Sequence, residues 1–246
     1  MALTVAVFNF KGGTGKSTTA ENLGACLASK KLKVLLIDLD GQRTLSFNCG
    51  VDGATPTALD WLTSEVEDEI APIETKVKRL DIIPGDIGMF QLRPSTNLIG
   101  LGLNRIRPLY DVVLMDCPPS LSEIASQALL ACDRVLMPTL CQPAALKGTS
   151  EAIQLIRGDA PTKPIDVLRV WYEANLVLTD EADEMLIAGT KKLNYNLLLV
   201  TIPKNVRIAE AVAHQQPITN YAPKSTGARA YKKLASECVA NWGIKK

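Results

Sequence analysis

Eight consecutive residues, Lys11-Gly12-Gly13-Thr14-Gly15-Lys16-Ser17-Thr18, combine glycines, hydroxyls and two lysines directly after an apolar run from Leu3 to Phe8. Backbone N–H groups cradle a phosphate where glycines bend the chain without a Cβ penalty and a helix N-terminus faces the anion. In that arrangement Lys16 lies against β- and γ-phosphates, the Ser17 hydroxyl ligates Mg2+, and Gly12, Gly13 and Gly15 let the backbone wrap the anion. A Gly-rich turn that binds nothing is the alternative. The ordinary P-loop carries a glycine ahead of its Gly-Lys-Ser element with four positions between. Here Phe10 stands in that place, with a second lysine, Lys11, beside it. Lys11 is open to two readings: a solvated loop lysine, or an ammonium that reaches phosphate oxygens and stabilises transition-state charge as an arginine finger does.

Carboxylates follow two other apolar runs. Val112–Met115 leads into Asp116 and then Cys117-Pro118-Pro119-Ser120. A P-loop ATPase needs an acid at the end of a buried strand to hold the metal's water shell, and Asp116 has that place unless it caps a helix. The prolines stiffen the exit from the sheet, so Asp116 and the next turn can report a γ-phosphate. Asp38 and Asp40 close a further run in Ile37-Asp38-Leu39-Asp40-Gly41-Gln42. Residues two apart on an extended segment project to one side, which lets both carboxylates approach the metal and the attacking water; solvated loop acids are the alternative.

The elements that must hold these residues are short apolar runs alternating with helical patterns. Strands are expected at Leu3–Phe8, Val34–Ile37, Leu80–Ile83, Val112–Met115, Arg134–Met137, Val167–Trp171 and Leu197–Val200. Several are apolar throughout, as in a parallel sheet buried on both faces. This predicts an α/β, doubly wound, mostly parallel sheet flanked by helices, the P-loop NTPase fold. Helices are expected at Ser17–Ser29, with Ala20, Leu23 and Leu27 on one face, at Leu121–Ala131, at Leu146–Ile156 and at about Gly227–Trp242. The last places Tyr231, Leu234, Ala235, Cys238 and Trp242 opposite Lys232, Lys233 and Glu237. Loops are expected at Asn48–Thr57 and Gly158–Pro164.

With 246 residues, 47% of them apolar, the chain can bury one sizeable core, and a single domain over 1–246 is expected. No apolar run approaches the ~18 residues needed to span a bilayer, and Met1–Phe10 lacks the features of a leader, so a cytoplasmic location is expected. Six scattered cysteines without a close pair predict reduced, buried thiols. The net charge of +1 hides an asymmetry: from Pro203 onward eight Lys/Arg, including Lys245 and Lys246, face only Glu210 and Glu237, giving +6 and leaving −5 elsewhere. A basic end suits a polyanion, or is a solvated helix face. His214 reads as a surface or turn residue, and Trp171, Tyr172 and Trp242 as core or interface aromatics.

The motifs Lys11–Thr18, Asp38–Gln42, Asp116–Ser120 and Ile202–Arg207, with a sequel at Ser225–Leu234, resemble the ParA/Soj branch of the ParA and MinD family of deviant-Walker ATPases. The resemblance covers nearly the whole chain. It implies an ATP-dependent sandwich homodimer in which Lys11 reaches across to the partner's nucleotide, while Lys16 and Ser17 serve their own phosphates and Mg2+. By the same resemblance Asp40 orients or activates the hydrolytic water and Asp38 supports the metal site. Pro203 and Asn205 match adenine-contacting positions. Non-specific binding to nucleoid DNA through Lys204, Arg207, Lys224 and Arg229 is implied, as is a ParB-like adaptor that stimulates hydrolysis. The cargo would be a plasmid, a chromosome or a large protein assembly.

Departures from the family pattern are Gly41 where Pro is common, Thr226-Gly227 where Arg-Gly is common, a shortened segment between Tyr172 and Met185, and a Gln142–Lys147 stretch without the usual acidic and aromatic residues. Two rivals share the fold. A MinD-like membrane-associated ATPase would finish in a separate amphipathic helix, for which Ala240–Lys246 is too short. A metal or redox carrier would want a close cysteine pair, for which only Cys117 and Cys132, meeting across a dimer axis, are available.

Overall fold

Strands that are apolar on both faces need cover on both, and the computed structural model, which describes residues 1–64 and 71–244, supplies it. Lys245 and Lys246, part of the basic end, lie outside the described residues. The strands are β1 (Leu3–Val7), β2 (Val34–Asp38), β3 (Ile73–Glu74), β4 (Leu80–Ile83), β5 (Val112–Asp116), β6 (Arg134–Leu140), β7 (Ile165–Tyr172) and β8 (Asn196–Pro203). They form one sheet in the order β3-β4-β2-β5-β1-β6-β7-β8, parallel except for β3. The expected fold is therefore the observed one. The chain fills the β2 side of β1 first and then passes from β5 to β6 on the other side. Ligands of open α/β sheets gather at such a switch, beyond the carboxyl ends of the strands.

The helices are α1 (Lys16–Ser29), α2 (Thr44–Asn48), α3 (Ala58–Thr63), α4 (Leu98–Ile106), α5 (Glu123–Ala131), α6 (Pro143–Asp159), α7 (Val177–Leu193), α8 (Val206–Ala213), α9 (Ile218–Tyr221) and α10 (Thr226–Asn241). Alternate residues of β5 show how they divide. Val112 and Leu114 join Ala20, Leu23 and Leu27 of α1 and Tyr231, Leu234 and Cys238 of α10 in one apolar layer. Val113 and Met115 join Trp61, Leu103, Ala125 and Ile153 in the other. The faces expected for α1 and α10 are the buried ones. Because the apolar face of α10 is spent on the sheet, it is not a free amphipathic helix, and no helix of the described residues is long and apolar enough to cross a membrane.

One polar hub closes the β6–β8 side. Asp166 of β7, fully buried, accepts hydrogen bonds from Arg134 Nη1 at 2.8 Å, Asn196 Nδ2 at 2.9 Å and Trp242 Nε1 at 2.8 Å. Trp242 is thus a core aromatic, as expected, and ties the end of α10 to the sheet. A buried carboxylate with three donors costs little in place, but its removal strands the donors and the Arg134 charge. Asp166→Ala is expected to lose ~3–5 kcal/mol of stability, read as a lower urea midpoint with an unchanged slope.

Candidate functional site

The loop between β1 and α1 reverses through left-handed backbone at Gly13 (φ 72°) and Gly15 (φ 75°), and Gly15 caps α1 without any side-chain bond. A Cβ at Gly12, Gly13 or Gly15 would meet no atom within 4 Å, so this backbone borders open space. Asn9, which no sequence motif singles out, pins the loop: its Nδ2 donates to the Pro138 carbonyl at 2.8 Å and its Oδ1 accepts from the Lys11 N–H at 3.0 Å. That role becomes visible only when β6 lies beside β1.

The two lysines diverge. Lys16 is 7% exposed, and its Nζ donates to the Lys11 carbonyl at 3.3 Å, an oxygen that also accepts from Thr14 Oγ1 at 3.3 Å. Burial lowers the Lys16 pKa, and Asp116, Asp40 and Cys117 partly offset it. The Lys11 side chain is exposed, and no described residue pairs with its ammonium. Ser17 and Thr18 are half-buried in the first turn of α1.

Asp116 ends β5 directly opposite Asp38 of β2. Burial, then the Asp38 charge, hold its carboxyl well above the usual range, against the neighbouring Ser17 hydroxyl and Lys16. Ser17 lies close enough to lower that pKa, yet neither carboxylate oxygen accepts a hydrogen bond of ordinary geometry. Helix capping is not its role, because Ser122 caps α5 by accepting from the Ala125 N–H at 3.2 Å. A buried, unsatisfied carboxylate, an adjacent hydroxyl, an inward ammonium and an open backbone cradle together fit a metal ion and a polyphosphate.

Asp38 and Asp40 do not form the matched pair that strand alternation predicts. β2 stops at Asp38, whose Oδ2 accepts from Ser46 N–H at 2.9 Å and Ser46 Oγ at 2.6 Å, and whose Oδ1 accepts from the Asp40 N–H at 3.2 Å. Burial pushes its pKa up to about 6, with the Ser46 and Asp40 hydrogen bonds holding it down. Both oxygens are committed to protein donors, which ties Asp38 to α2 and holds it opposite Asp116. Asp40 sits in a turn instead, its Oδ1 accepting from the Gln42 N–H at 3.0 Å, beside a hollow of about 470 Å3 that Pro118 and Ser120 also line. At Gly41 a Cβ would stand 2.7 Å from the Phe90 ring, so glycine is what admits that ring over the turn.

A second hollow, of about 410 Å3 and mostly apolar walls, joins Gly15 and Thr18 to Pro203, Asn205, Val206 and Trp171. Trp171 is neither core nor half-covered: it is 58% exposed at the carboxyl end of β7, with a left-handed φ of 54°. Non-glycine residues held in that region cluster at functional sites. The available sequence signal was its place at the end of a strand on the switch side. Asn205 caps α8 by accepting from the Arg207 N–H at 2.8 Å, and its Nδ2 donates to Thr226 Oγ1 at 2.6 Å.

The four basic candidates do not form one cluster. Arg207 and Lys224 line a shallow hollow with Ser225 and Thr226, and Arg229 Nη1 donates to the Lys224 carbonyl at 3.1 Å. Lys204 stands toward the apolar hollow, 3.3 Å from Glu173. His214 stacks on Tyr221 with ring centroids 5.0 Å apart, at the end of α8. All six cysteines are buried and free. Cys117 and Cys132 lie in the apolar layer inside one chain, which removes the pairing across a dimer axis, and no group of His, Cys, Asp and Glu among the described residues could hold a metal through three such ligands.

The comparisons agree with this geometry. Residues 2–159 match the family model described as an AAA domain. The sporulation initiation inhibitor protein Soj of Bacillus subtilis is 34% identical over 98% of this chain and 100% of its own length. The chromosome partitioning protein ParA of Caulobacter vibrioides is 33% identical over 96% of this chain and 93% of its own. The septum site-determining protein MinD of Pyrococcus horikoshii, solved with Mg-ADP, superposes with a TM-score of 0.83 at 26% identity, covering 100% of this chain and 99% of that one. The protein belongs to the ParA/Soj-like family of partition ATPases.

Proposed function

We propose that this chain is a single ATPase unit that dimerises on ATP and Mg2+, binds double-stranded DNA without sequence preference, and positions or segregates a cargo. A ParB-like adaptor stimulates its otherwise slow hydrolysis, and the ATP form resides on the nucleoid. The observation that carries the reading is the divergence of two lysines in one loop: Lys16 is 7% exposed and turned inward, while Lys11 is exposed beside it with no described partner. An inward lysine serves its own phosphates; an outward one is free to serve a second copy's.

Mg2+, when bound, neutralises phosphate charge and fixes a water shell. Ser17 and Asp116 hold it, and Asp38 keeps Asp116 and α2 in place. Lys16 sits against the β- and γ-phosphates, the Gly12–Gly15 backbone donates to them, and Asp40 orients the attacking water. Pro203, Asn205 and the Trp171 indole border the nucleobase. Lys11 contributes its charge to the partner's triphosphate, so self-association depends on that group being intact. Pairing two basic ends multiplies phosphate contacts, which makes DNA affinity steep in the number of copies. Arg207, Lys224 and Arg229 are the leading contacts. The exposed Arg207–Glu210 pair at 2.7 Å is weak enough to exchange for a phosphate.

Sedimentation mass, ATP turnover and salt-dependent binding to duplex DNA test the reading together. ATP is expected to double the mass and steepen the salt dependence relative to ADP, and Lys11→Ala to abolish both changes while still binding nucleotide. Mass and DNA affinity indifferent to ATP would refute it. Asp40→Ala is expected to cut turnover by roughly 10²–10⁴-fold and leave a long-lived ATP dimer; normal turnover would remove Asp40 from the water-positioning role. Trp171→Ala is expected to weaken ATP binding by ~1–3 kcal/mol, as loss of base stacking does, with inorganic triphosphate binding unchanged.

A further inference from the structure

One buried carboxyl group takes no part in the nucleotide site. Glu21, in the second turn of α1, is 1% exposed, and neither of its oxygens accepts a hydrogen bond from a described residue. Native interiors rarely leave such a group unsatisfied unless water or an ion meets it. Burial pushes its pKa up to about 8, and no basic group pulls it back. Glu21 lines a cavity of about 80 Å3 between α1, the end of α2, the β3–β4 turn and the link from α8 to α9. The carboxamides of Gln215, Gln216 and Asn220 line the same cavity. None of them hydrogen-bonds to a described residue through its side chain, and Gln215 is held there by a left-handed backbone (φ 53°). Four oxygen-bearing side chains, none hydrogen-bonded through its side chain to a described residue, therefore border one pocket that runs from the buried Glu21 to solvent at Asn220 and Lys76.

We propose that this cavity is a binding site for a monovalent cation of potassium size, held by the Glu21 carboxylate and the carboxamide oxygens of Gln215, Gln216 and Asn220. Oxygen donors suit hard cations. The one thiol in the wall, Cys49, is held protonated by burial and by the Glu21 charge, so a soft metal has no ligand there. A single carboxylate balances a single positive charge, whereas divalent ions draw on several. The volume admits an ion with a water or two, at roughly 30 Å3 for each water. Other ionisable groups facing Glu21 are Tyr231 of α10, whose phenol burial keeps neutral, and Lys76 at the mouth. Lys76 is exposed and leaves the Glu21 pKa governed by burial alone, so it does not fill the role of counter-ion.

The site joins two parts of the molecule that matter. α1 begins with Lys16 and Ser17, and the neighbouring Asn22 already accepts from the Ile218 N–H of α9 at 2.7 Å. A cation at Glu21 would bind the same two elements again. Its entry requires the ionised carboxylate, so one proton leaves as one cation binds. Affinity accordingly rises about tenfold per pH unit up to about 8 and levels off above it.

Thermal unfolding of the full chain in potassium chloride and in choline chloride of equal ionic strength, at about pH 6.5 and about pH 8.5, tests this linkage. Potassium is expected to raise the midpoint over choline at the higher pH, and far less at the lower. Glu21→Gln is expected to fold and to lose the potassium increment. Crystals of the unaltered protein soaked in thallium(I) acetate give a second measurement, with an anomalous peak expected between Glu21 and Gln215. An equal potassium increment in Glu21→Gln, no increment in the unaltered protein, or a thallium map with no peak in the cavity would each overturn the site. So would a Lys76→Ala protein in which the pH dependence disappears, since the lysine would then be the occupant.

Discussion

Everything at the carboxyl edge of the sheet answers to one electrostatic constraint: ionisable groups of both signs are held in apolar surroundings with their charges only partly matched. Asp116 is fully buried with two idle oxygens, Asp38 faces it across the strand pair, and Lys16 is turned in beside them. Burial raises the carboxyls and lowers the lysine, so each is displaced toward its neutral form. Such an arrangement is costly to maintain and is stable only because the surrounding sheet over-determines it. The same cost makes it receptive to a cation bridged to a polyanion, which satisfies the carboxylate and the ammonium at once.

The scaffold meets that constraint through register. β1, β2 and β5 are central strands, and their parallel pairing brings Val7, Asp38 and Asp116 to one level at the point where the loops depart. Two apolar layers clamp the strands from both sides, which leaves the backbone little freedom to relieve the buried charges by shifting. Ser46 secures Asp38 from α2, its Oγ accepting in turn from the Gly85 N–H at 2.8 Å, and Asn9 secures the phosphate loop from β6. Each links a loop at the carboxyl edge to an element distant in sequence.

Much of this was legible in the residues. Strand runs buried on both faces announced the sheet, and the spacing around Lys16 announced the loop, because each pattern has few other physical explanations. What was not legible came from contacts distant in sequence or from local signals that mislead. β6 continues through Pro138 to Leu140, although proline usually ends a strand, because its ladder with β7 runs to Leu140 while its pairing with β1 has already ended at Leu136, which leaves a one-sided stretch where proline is tolerated. α4 carries Gly100 and Gly102, which weaken a helical signal. α7 buries Ala182 and Leu186 but also exposes Val177, Leu178, Met185 and Ile187 and turns Asp183 toward Arg169 and Tyr172, which blurs its amphipathic signal. Asp40 escaped the alternation argument because the strand ends two residues earlier, and for Trp171, read as a core or interface aromatic, residue type alone did not show that it stands exposed at the end of β7.

The Asn205 side chain gives the molecule a property that none of its pockets has alone. Its oxygen terminates one helix and its nitrogen grips the first residue of another, so a single planar group spans the rim of the apolar hollow and the start of α10. Two hydrogen bonds of that plane set the spacing between the two helix starts. The hollow that borders Gly15 and Thr18 is thus joined to the start of α10 by one amide group.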